Sequence, residues 1–198
     1  MLKKNKAAKS LQARIGRFFS ALPITPNQIT ALSLLCAIAG FCLAYLRLPF
    51  HSLALFILAG ALDALDGAVA RARGEQSDRG AYIDGMTDRL VEFFFILSFF
   101  FFPLPNFILS PWLLLIFILF FGSAMTSFAT AYAEHRHVAD SKKIARQPGI
   151  LPRAERLILL FAAFLLAAAY PLAASALLFM IAVLCIATFA QRFLYYSR

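Results

Sequence analysis

The sequence predicts an all-α integral membrane protein, with six transmembrane helices preceded by an N-terminal interfacial amphipathic helix. Of its 198 residues, 62% are hydrophobic and only 15% are charged, and the mean hydropathy is +0.77. Soluble domains carry about 25% charged residues, because they need a polar surface. Residues 93–133 form a run of 41 positions without Asp, Glu, Lys or Arg. Period-two alternation is absent, which excludes a membrane β-barrel, and the composition excludes a soluble globule, a disordered chain and a disulfide scaffold.

Prolines divide the long apolar runs into single spans. A helix that crosses a bilayer needs about 20 mostly apolar residues, and proline, which lacks an N–H, marks the turns between helices. Pro103 and Pro105 end one span, Pro111 starts the next, and Pro171 divides the last apolar run. The six predicted spans cover residues 28–47, 50–73, 80–102, 112–135, 153–170 and 172–193.

The basic residues predict which helix ends face the cytoplasm. Six spans return the chain to its starting side, and 18 of the 19 Lys and Arg residues then fall on one side, with only Arg47 opposite. Because cytoplasmic loops carry an excess of Lys and Arg, we expect both termini to be cytoplasmic. The formal charge of +9 is explained by this membrane face, and we expect no nucleic-acid partner.

Residues 1–22 are predicted to form a basic helix that lies on the membrane surface, and residues 23–198 to form the membrane domain. Leu11, Ile15, Phe18 and Phe19 recur at helical spacing, with Lys and Arg residues between them. This pattern is typical of an interfacial amphipathic helix. A solvated charged tail is the alternative interpretation.

Four aspartates lie inside two predicted spans. Asp63 and Asp66 are three positions apart and Asp84 and Asp88 are four apart, so each pair shares one helical face. A short link joins the two spans, so the four carboxylates can meet at a similar depth. Clustered carboxylates repel one another and need cations, and an all-oxygen ligand set suits Mg²⁺ or Mn²⁺. Such cations hold diphosphates for displacement chemistry, which predicts an enzyme. The alternative is an ion-coupled transporter, in which intramembrane carboxylates relay protons or Na⁺.

A longer pattern around these aspartates resembles the signature of a known family. The segment reads Asp63-x2-Asp66-Gly67-x2-Ala70-Arg71-x8-Gly80-x3-Asp84-x3-Asp88. It resembles the motif of the CDP-alcohol phosphatidyltransferases at every fixed position. The starts of spans one and five are similar too, and they read Pro26-Asn27-Gln28-Ile29-Thr30 and Pro152-Arg153-Ala154-Glu155-Arg156-Leu157. Over essentially its whole length, the chain resembles prokaryotic phosphatidyl- and archaetidyl-polyol-phosphate synthases.

The resemblance implies an enzyme of phospholipid biosynthesis that acts on the cytoplasmic side of the membrane. Such an enzyme transfers a phosphatidyl-type group from a CDP-linked lipid, either CDP-diacylglycerol or CDP-archaeol, and releases CMP. The acceptor is the hydroxyl of a polar alcohol or polyol phosphate, such as glycerol phosphate or inositol phosphate. The reversed polarity, with a CDP-linked small alcohol as the donor, is the alternative. Contacts with membrane lipids and a homodimer are also implied.

The resemblance also implies roles for individual residues. Asp63, Asp66, Asp84 and Asp88 hold two Mg²⁺ or Mn²⁺ ions, and Asp88 is the general base. The residues implied for the CDP moiety are Pro26, Asn27, Gln28, Ile29, Gly67, Arg71 and Ser77. Arg153 and Arg192 match positions that bind the acceptor phosphate in relatives that use inositol phosphate. Those relatives carry Lys-x-Arg near the end of span four, where this chain has Thr130-Ala131-Tyr132, so the identity of the acceptor stays open.

Overall fold

Helices make up nearly all of the computed structural model, which describes residues 14, 16, 18, 19, 23–140, 144 and 149–197. The long helices are α1 (Pro26–Tyr45), α2 (Pro49–Arg73), α3 (Asp78–Ser98), α4 (Pro111–His135), α5 (Arg153–Ala169) and α6 (Pro171–Tyr196). A short 3₁₀ turn, Phe99–Phe101, continues α3. No strand occurs among the described residues. The six predicted spans coincide with the six helices to within about four residues at every end, so the all-α prediction is confirmed.

The chain divides into two compact units. The first is Met1–Phe95 and contains α1, α2 and most of α3. The second is Ile96–Arg198 and contains α4, α5 and α6.

The predicted N-terminal helix falls mostly outside the described residues. Arg14, Gly16, Phe18 and Phe19 are described, and all four are helical. Gly16 is buried, and a Cβ atom there would lie 2.5 Å from the carbonyl oxygen of Ala68. This turn therefore lies directly against α2, while the amphipathic character of residues 1–22 stays a prediction.

In the first unit, α1 and α2 are bounded by capping residues. Thr25 caps α1, because its Oγ1 accepts a hydrogen bond of 3.3 Å from the Gln28 N–H, and Gln28 Oε1 accepts one of 2.9 Å from the Thr25 N–H. This reciprocal pair is a capping box, and Pro26 supplies the favoured first helical residue. Helix α2 ends at Gly74, whose φ of +68° lies in the left-handed region that favours glycine.

Small residues bring α1 close to α2. Ala37 and Ala59 are fully buried, and Ser33 Oγ donates a 2.9 Å hydrogen bond to the Ala59 carbonyl. A Cβ atom at Gly40 would lie 3.2 Å from the ring of Phe56. Small residues of this kind allow helix backbones to approach within a membrane. The close packing places the first turn of α1 beside the last turns of α2.

In the second unit, α4 contains a π-helical segment, Ile118–Met125. Such a segment disturbs the regular α-helical hydrogen-bond ladder. The Gly122 carbonyl within it accepts hydrogen bonds from Arg156 Nη1 of α5 and from Thr126 Oγ1, each of 2.5 Å. Arg156 is only 4% exposed, so its charge is buried against this distorted part of α4.

Within the described part of the chain, four helices are long and apolar enough to cross a membrane: α1, α2, α4 and α6. Helix α3 is long enough, but its first 15 residues contain six charged side chains. Helix α5 has 17 residues, which corresponds to about 25 Å at 1.5 Å per residue. The four long apolar helices make the chain an integral membrane protein.

Candidate active site

Three of the four predicted aspartates form one carboxylate cluster. Carboxylate oxygens of Asp63 on α2 and of Asp84 and Asp88 on α3 all lie within 4.8 Å of one another. The three side chains are half-buried, because they stand on the facing surfaces of two helices joined by a link of four residues. Carboxylates at this separation repel one another unless cations lie between them, and oxygen ligands favour hard divalent cations. This donor set fits Mg²⁺ or Mn²⁺.

Asp66 has a different environment from the other three aspartates. It is 4% exposed, and its Oδ2 accepts a hydrogen bond of 2.5 Å from Thr30 Oγ1 of α1. A buried carboxylate needs such a donor, because an unpaired charge away from water is costly. Thr30 therefore fixes the orientation of Asp66 beside the cluster.

Arg89 lies beside the carboxylate cluster. Its Nη1 lies 3.9 Å from Asp88 Oδ2, and both side chains are partly exposed. That separation is too long for a hydrogen bond, and an exposed pair of this kind contributes about 0–1 kcal/mol. This pair by itself therefore balances little of the charge of the three carboxylates.

A cavity of about 340 Å³ lies next to the carboxylates, between the start of α1, the end of α2 and the start of α3. Its lining residues are Thr25, Pro26, Asn27, Thr30, Asp66, Gly67, Ala70, Arg71, Glu75, Gln76, Ser77, Gly80, Ala81 and Asp84. Two of the four aspartates thus line the cavity. A ligand held there can reach the carboxylate cluster.

Five of the seven residues predicted for the CDP moiety line this cavity: Pro26, Asn27, Gly67, Arg71 and Ser77. The other two do not line it. The side chain of Gln28 completes the cap of α1, and Ile29 is 6% exposed, so it is packed inside the protein. Their contribution to the site is to form the helix start that carries Pro26 and Asn27.

The glycines of the signature leave room for polar side chains. A Cβ atom at Gly67 would lie 3.2 Å from Arg71 Nη1, so a bare backbone here lets the guanidinium group lie against α2. A Cβ atom at Gly80 would lie 3.1 Å from Ser77 Oγ, which accepts a hydrogen bond of 3.1 Å from the Gly80 N–H. Both glycines therefore keep cavity-lining side chains in place.

The two arginines predicted for the acceptor lie at one end of the second unit. Arg153 is the first residue of α5, and Arg192 is in the last two turns of the adjoining α6. Arg192 Nη1 donates hydrogen bonds of 2.9 Å to the Thr126 carbonyl and to Thr130 Oγ1 of α4. Thr130 occupies the position of the lysine in the Lys-x-Arg of relatives that use inositol phosphate.

Sequence reasoning did not identify the contact between Thr30 and Asp66. Thr30 lies four residues after Pro26, and this spacing places both on one face of α1. That periodicity was the available signal for including Thr30 in the site. Its pairing with Asp66, 36 positions away, depends on how α1 packs against α2.

Comparison with known proteins identifies the family. The model of the CDP-alcohol phosphatidyltransferase family matches residues 23–190. The chain is 33% identical over 152 residues to an archaetidylinositol phosphate synthase of Pyrococcus horikoshii, covering 77% of this chain and 75% of that protein. It is 32% identical over 123 residues to a bifunctional IPC transferase and DIPP synthase of Aquifex aeolicus, covering 62% of this chain and 28% of that protein.

Solved structures of a Mycobacterium tuberculosis phosphatidylinositol phosphate synthase have the same fold. The structure with CDP-DAG bound gives a TM-score of 0.76 at 23% identity and covers 94% of each chain. The complex with manganese and citrate gives a TM-score of 0.74 at 24% identity, and covers 94% of this chain and 88% of the other.

The chain belongs to the CDP-alcohol phosphatidyltransferase family. It is a membrane transferase of phospholipid biosynthesis, which transfers a phosphatidyl-type group from a CDP-linked lipid to the hydroxyl of an acceptor alcohol and releases CMP. The resemblance stated from the signature is confirmed. Membership of this family also removes the ion-coupled transporter as an interpretation of the intramembrane aspartates.

Proposed function

We propose that this enzyme is a phosphatidyl- or archaetidyl-polyol-phosphate synthase, whose acceptor is a polyol phosphate such as inositol phosphate or glycerol phosphate. The observation that carries the proposal is the cluster of Asp63, Asp84 and Asp88 beside a cavity lined by the signature residues Gly67 and Arg71. The similarity to the archaetidylinositol phosphate synthase of Pyrococcus horikoshii, which spans three quarters of both proteins, supports this acceptor class. The donor in this proposal is CDP-diacylglycerol or CDP-archaeol.

The carboxylates would hold two divalent cations, either Mg²⁺ or Mn²⁺. Asp63, Asp66 and Asp84 are proposed to hold both cations, and Asp88 joins them at the second. When bound, these ions neutralise the diphosphate and stabilise the leaving CMP, which is the main demand of phosphoryl transfer. A family fold that has been crystallised with manganese supports this assignment.

The cavity beside the carboxylates would hold the CDP moiety. Its wall includes the first turn of α1, where Pro26 has no N–H and the Gln28 N–H donates to Thr25 Oγ1, so Asn27 is the residue of this turn that would donate to a ligand. Arg71 and Ser77 offer further donors, and Pro26, Asn27, Gln28, Ile29 and Gly67 complete the proposed nucleotide residues. Binding here places the diphosphate next to Asp66 and Asp84.

Asp88 is the proposed general base. Its carboxylate accepts the proton of the acceptor hydroxyl, whose oxygen then attacks the phosphorus that carries the lipid. The bond from that phosphorus to the bridging oxygen breaks, and CMP leaves with both electrons of the bond. Asp88 lies one helical turn beyond Asp84, at the edge of the cluster, where it can reach an acceptor that enters beside the cations.

Arg153 and Arg192 are the proposed contacts of the acceptor phosphate. Arginine matches phosphate geometry because its guanidinium group presents several donors in a rigid plane.

We also propose a membrane topology and an assembly state. The chain crosses a prokaryotic plasma membrane six times, with both chain ends and the active site on the cytoplasmic side. The protein contacts membrane lipids, and two copies form a homodimer. Residues 93–98 at the end of α3 and the 3₁₀ turn that follows carry no charge, which supports the insertion of this end into the bilayer.

A CMP-release assay tests the proposal. Purified enzyme is given CDP-diacylglycerol or CDP-archaeol, Mg²⁺ or Mn²⁺, and one of inositol phosphate, glycerol phosphate, inositol, glycerol or serine. We expect CMP release with one polyol phosphate, and little with the unphosphorylated alcohols. Absence of CMP with every acceptor, from a protein that still binds CMP, would contradict the proposal.

A further inference from the structure

Arg73 makes a hydrogen bond that joins two distant parts of the first unit. It lies in the last turn of α2, two residues after Arg71, and it is not part of the family signature. Its Nη1 donates a 2.8 Å hydrogen bond to the backbone carbonyl of Ile24, 49 positions earlier in the chain. The Arg73 side chain is 18% exposed, and its charge strengthens this bond, which lies at the protein surface.

The residues that follow Ile24 form one wall of the cavity. Thr25, Pro26 and Asn27 all line it. On the helix side this short segment is fixed by the capping box between Thr25 and Gln28. On its other side, Arg73 holds the Ile24 carbonyl, which lies outside the helical ladder.

The opposite walls of the cavity come from α2 and α3. Gly67 and Arg71 line it from α2, and Ser77 and Gly80 line it from the link and the start of α3. Because Arg73 belongs to α2, its bond to Ile24 fixes the distance between the first wall and the second. Arg73 itself does not line the cavity.

The neighbouring acid does not account for the position of Arg73. Glu75 Oε2 lies 3.9 Å from Arg73 Nη1, and the Glu75 side chain is 51% exposed. A pair at this distance and exposure contributes little. The bond to the Ile24 carbonyl is shorter than this contact by more than 1 Å and has hydrogen-bond geometry, so it holds the guanidinium group more firmly than Glu75 does.

We propose that Arg73 is a positioning residue for nucleotide binding: it holds residues 24–27 at the distance from α2 that the CDP moiety requires. This inference rests on the proposed function, which places the CDP moiety in this cavity. Arg73 acts through the backbone of Ile24 and does not touch the substrate.

Steady-state kinetics of two Arg73 variants test this role. Loss of a charge-assisted hydrogen bond predicts that Arg73→Ala raises KM for the CDP-linked lipid about tenfold, with kcat within about twofold of wild type. Arg73→Lys restores part of the change, because its ammonium group can donate to the same carbonyl. Arg79→Ala is the matched control, since Arg79 is an exposed arginine that does not line the cavity. We expect it to keep the wild-type KM.

Other kinetic outcomes would overturn the inference. A purely structural role would lower the thermal stability and the active fraction of Arg73→Ala while leaving its KM unchanged. An equal rise in KM for Arg79→Ala would assign the effect to charge near the membrane surface. Failure of Arg73→Lys to improve on alanine would argue against the bond to Ile24.

Calorimetry with CMP in the presence of Mn²⁺ separates this inference from the proposed function. Weaker CMP binding by Arg73→Ala than by wild type supports positioning, even if the wild-type enzyme releases no CMP with any acceptor. Wild-type turnover combined with equal CMP binding and equal KM for the two proteins would retain the proposed function and overturn the role of Arg73.

Discussion

The aspartate cluster of the first unit and the arginines that contact α4 in the second unit use charge in opposite ways. In the first, like charges converge: oxygens of Asp63, Asp84 and Asp88 lie within 4.8 Å of one another, beside a cavity. In the second, Arg156 and Arg192 donate to carbonyl oxygens of α4. The converging carboxylates are the proposed site for cations, whereas Arg156 is buried against a partner within the chain.

This difference shows that a charged residue inside a membrane protein has more than one explanation. Converging carboxylates repel one another unless cations lie between them, so the aspartate cluster is the proposed cation site. Arg156 satisfies the carbonyl of Gly122 in the π-helical segment, and its role is to stabilise α4. Substitutions in the two regions should therefore affect different measured quantities.

The largest expected effect is that of Asp88→Asn. Loss of the proposed general base predicts a fall in kcat of about 10²–10⁴-fold in the CMP-release assay at saturating Mg²⁺, which is needed because Asp88 is also a proposed cation ligand. CMP binding measured without cations should be nearly unchanged, because Asp88 does not line the cavity. Asp78→Asn, at the exposed start of α3, is the control and should keep wild-type activity. Activity of Asp88→Asn within a few-fold of wild type would contradict the role of Asp88 as the general base, and with it the distinction between a catalytic first unit and structural arginines in the second.

Thr30→Val should have the next largest effect, because it removes the hydrogen bond to Asp66 but keeps the shape of the side chain. Partners that orient metal ligands typically contribute 10- to 100-fold to metal affinity or activity, so the Mn²⁺ concentration for half-maximal activity should rise by about that factor. Thr30→Ser should restore most of the affinity.

Ser33→Ala is the matched control for Thr30. Ser33 also joins α1 to α2, but its partner is the Ala59 carbonyl and not a carboxylate. Its loss should leave the Mn²⁺ dependence unchanged. If Thr30→Val and Ser33→Ala behave alike, Thr30 serves helix packing and not the orientation of Asp66.

The smallest expected effect on catalysis is that of Arg156→Ala. A hydrogen bond from a charged donor contributes about 1.5–3 kcal/mol, so Tm should fall by about 3–10 °C. The kcat of the folded fraction should stay close to that of wild type. Thermal unfolding of detergent-solubilised protein, followed beside the CMP-release assay, measures both quantities. A large loss of kcat at unchanged Tm would instead place Arg156 in the catalytic machinery.

The sequence by itself determined the helices and the candidate site. Apolar runs and prolines set six helices, because helix length in a membrane follows bilayer thickness and proline interrupts the backbone ladder. Helical periodicity placed Asp63 with Asp66 and Asp84 with Asp88, and the spacing of the signature identified the family. These are properties of residues that lie close together along the chain.

Only the tertiary structure decided which groups meet across helices. It separated Asp66, held by Thr30, from the cluster of the other three aspartates, and it made Gln28 a capping residue. It also joined Arg73 to Ile24 across 49 positions. Contacts of this kind depend on how small residues such as Gly40 and Ala59 let helices approach, and that distance is set by packing and not by local spacing.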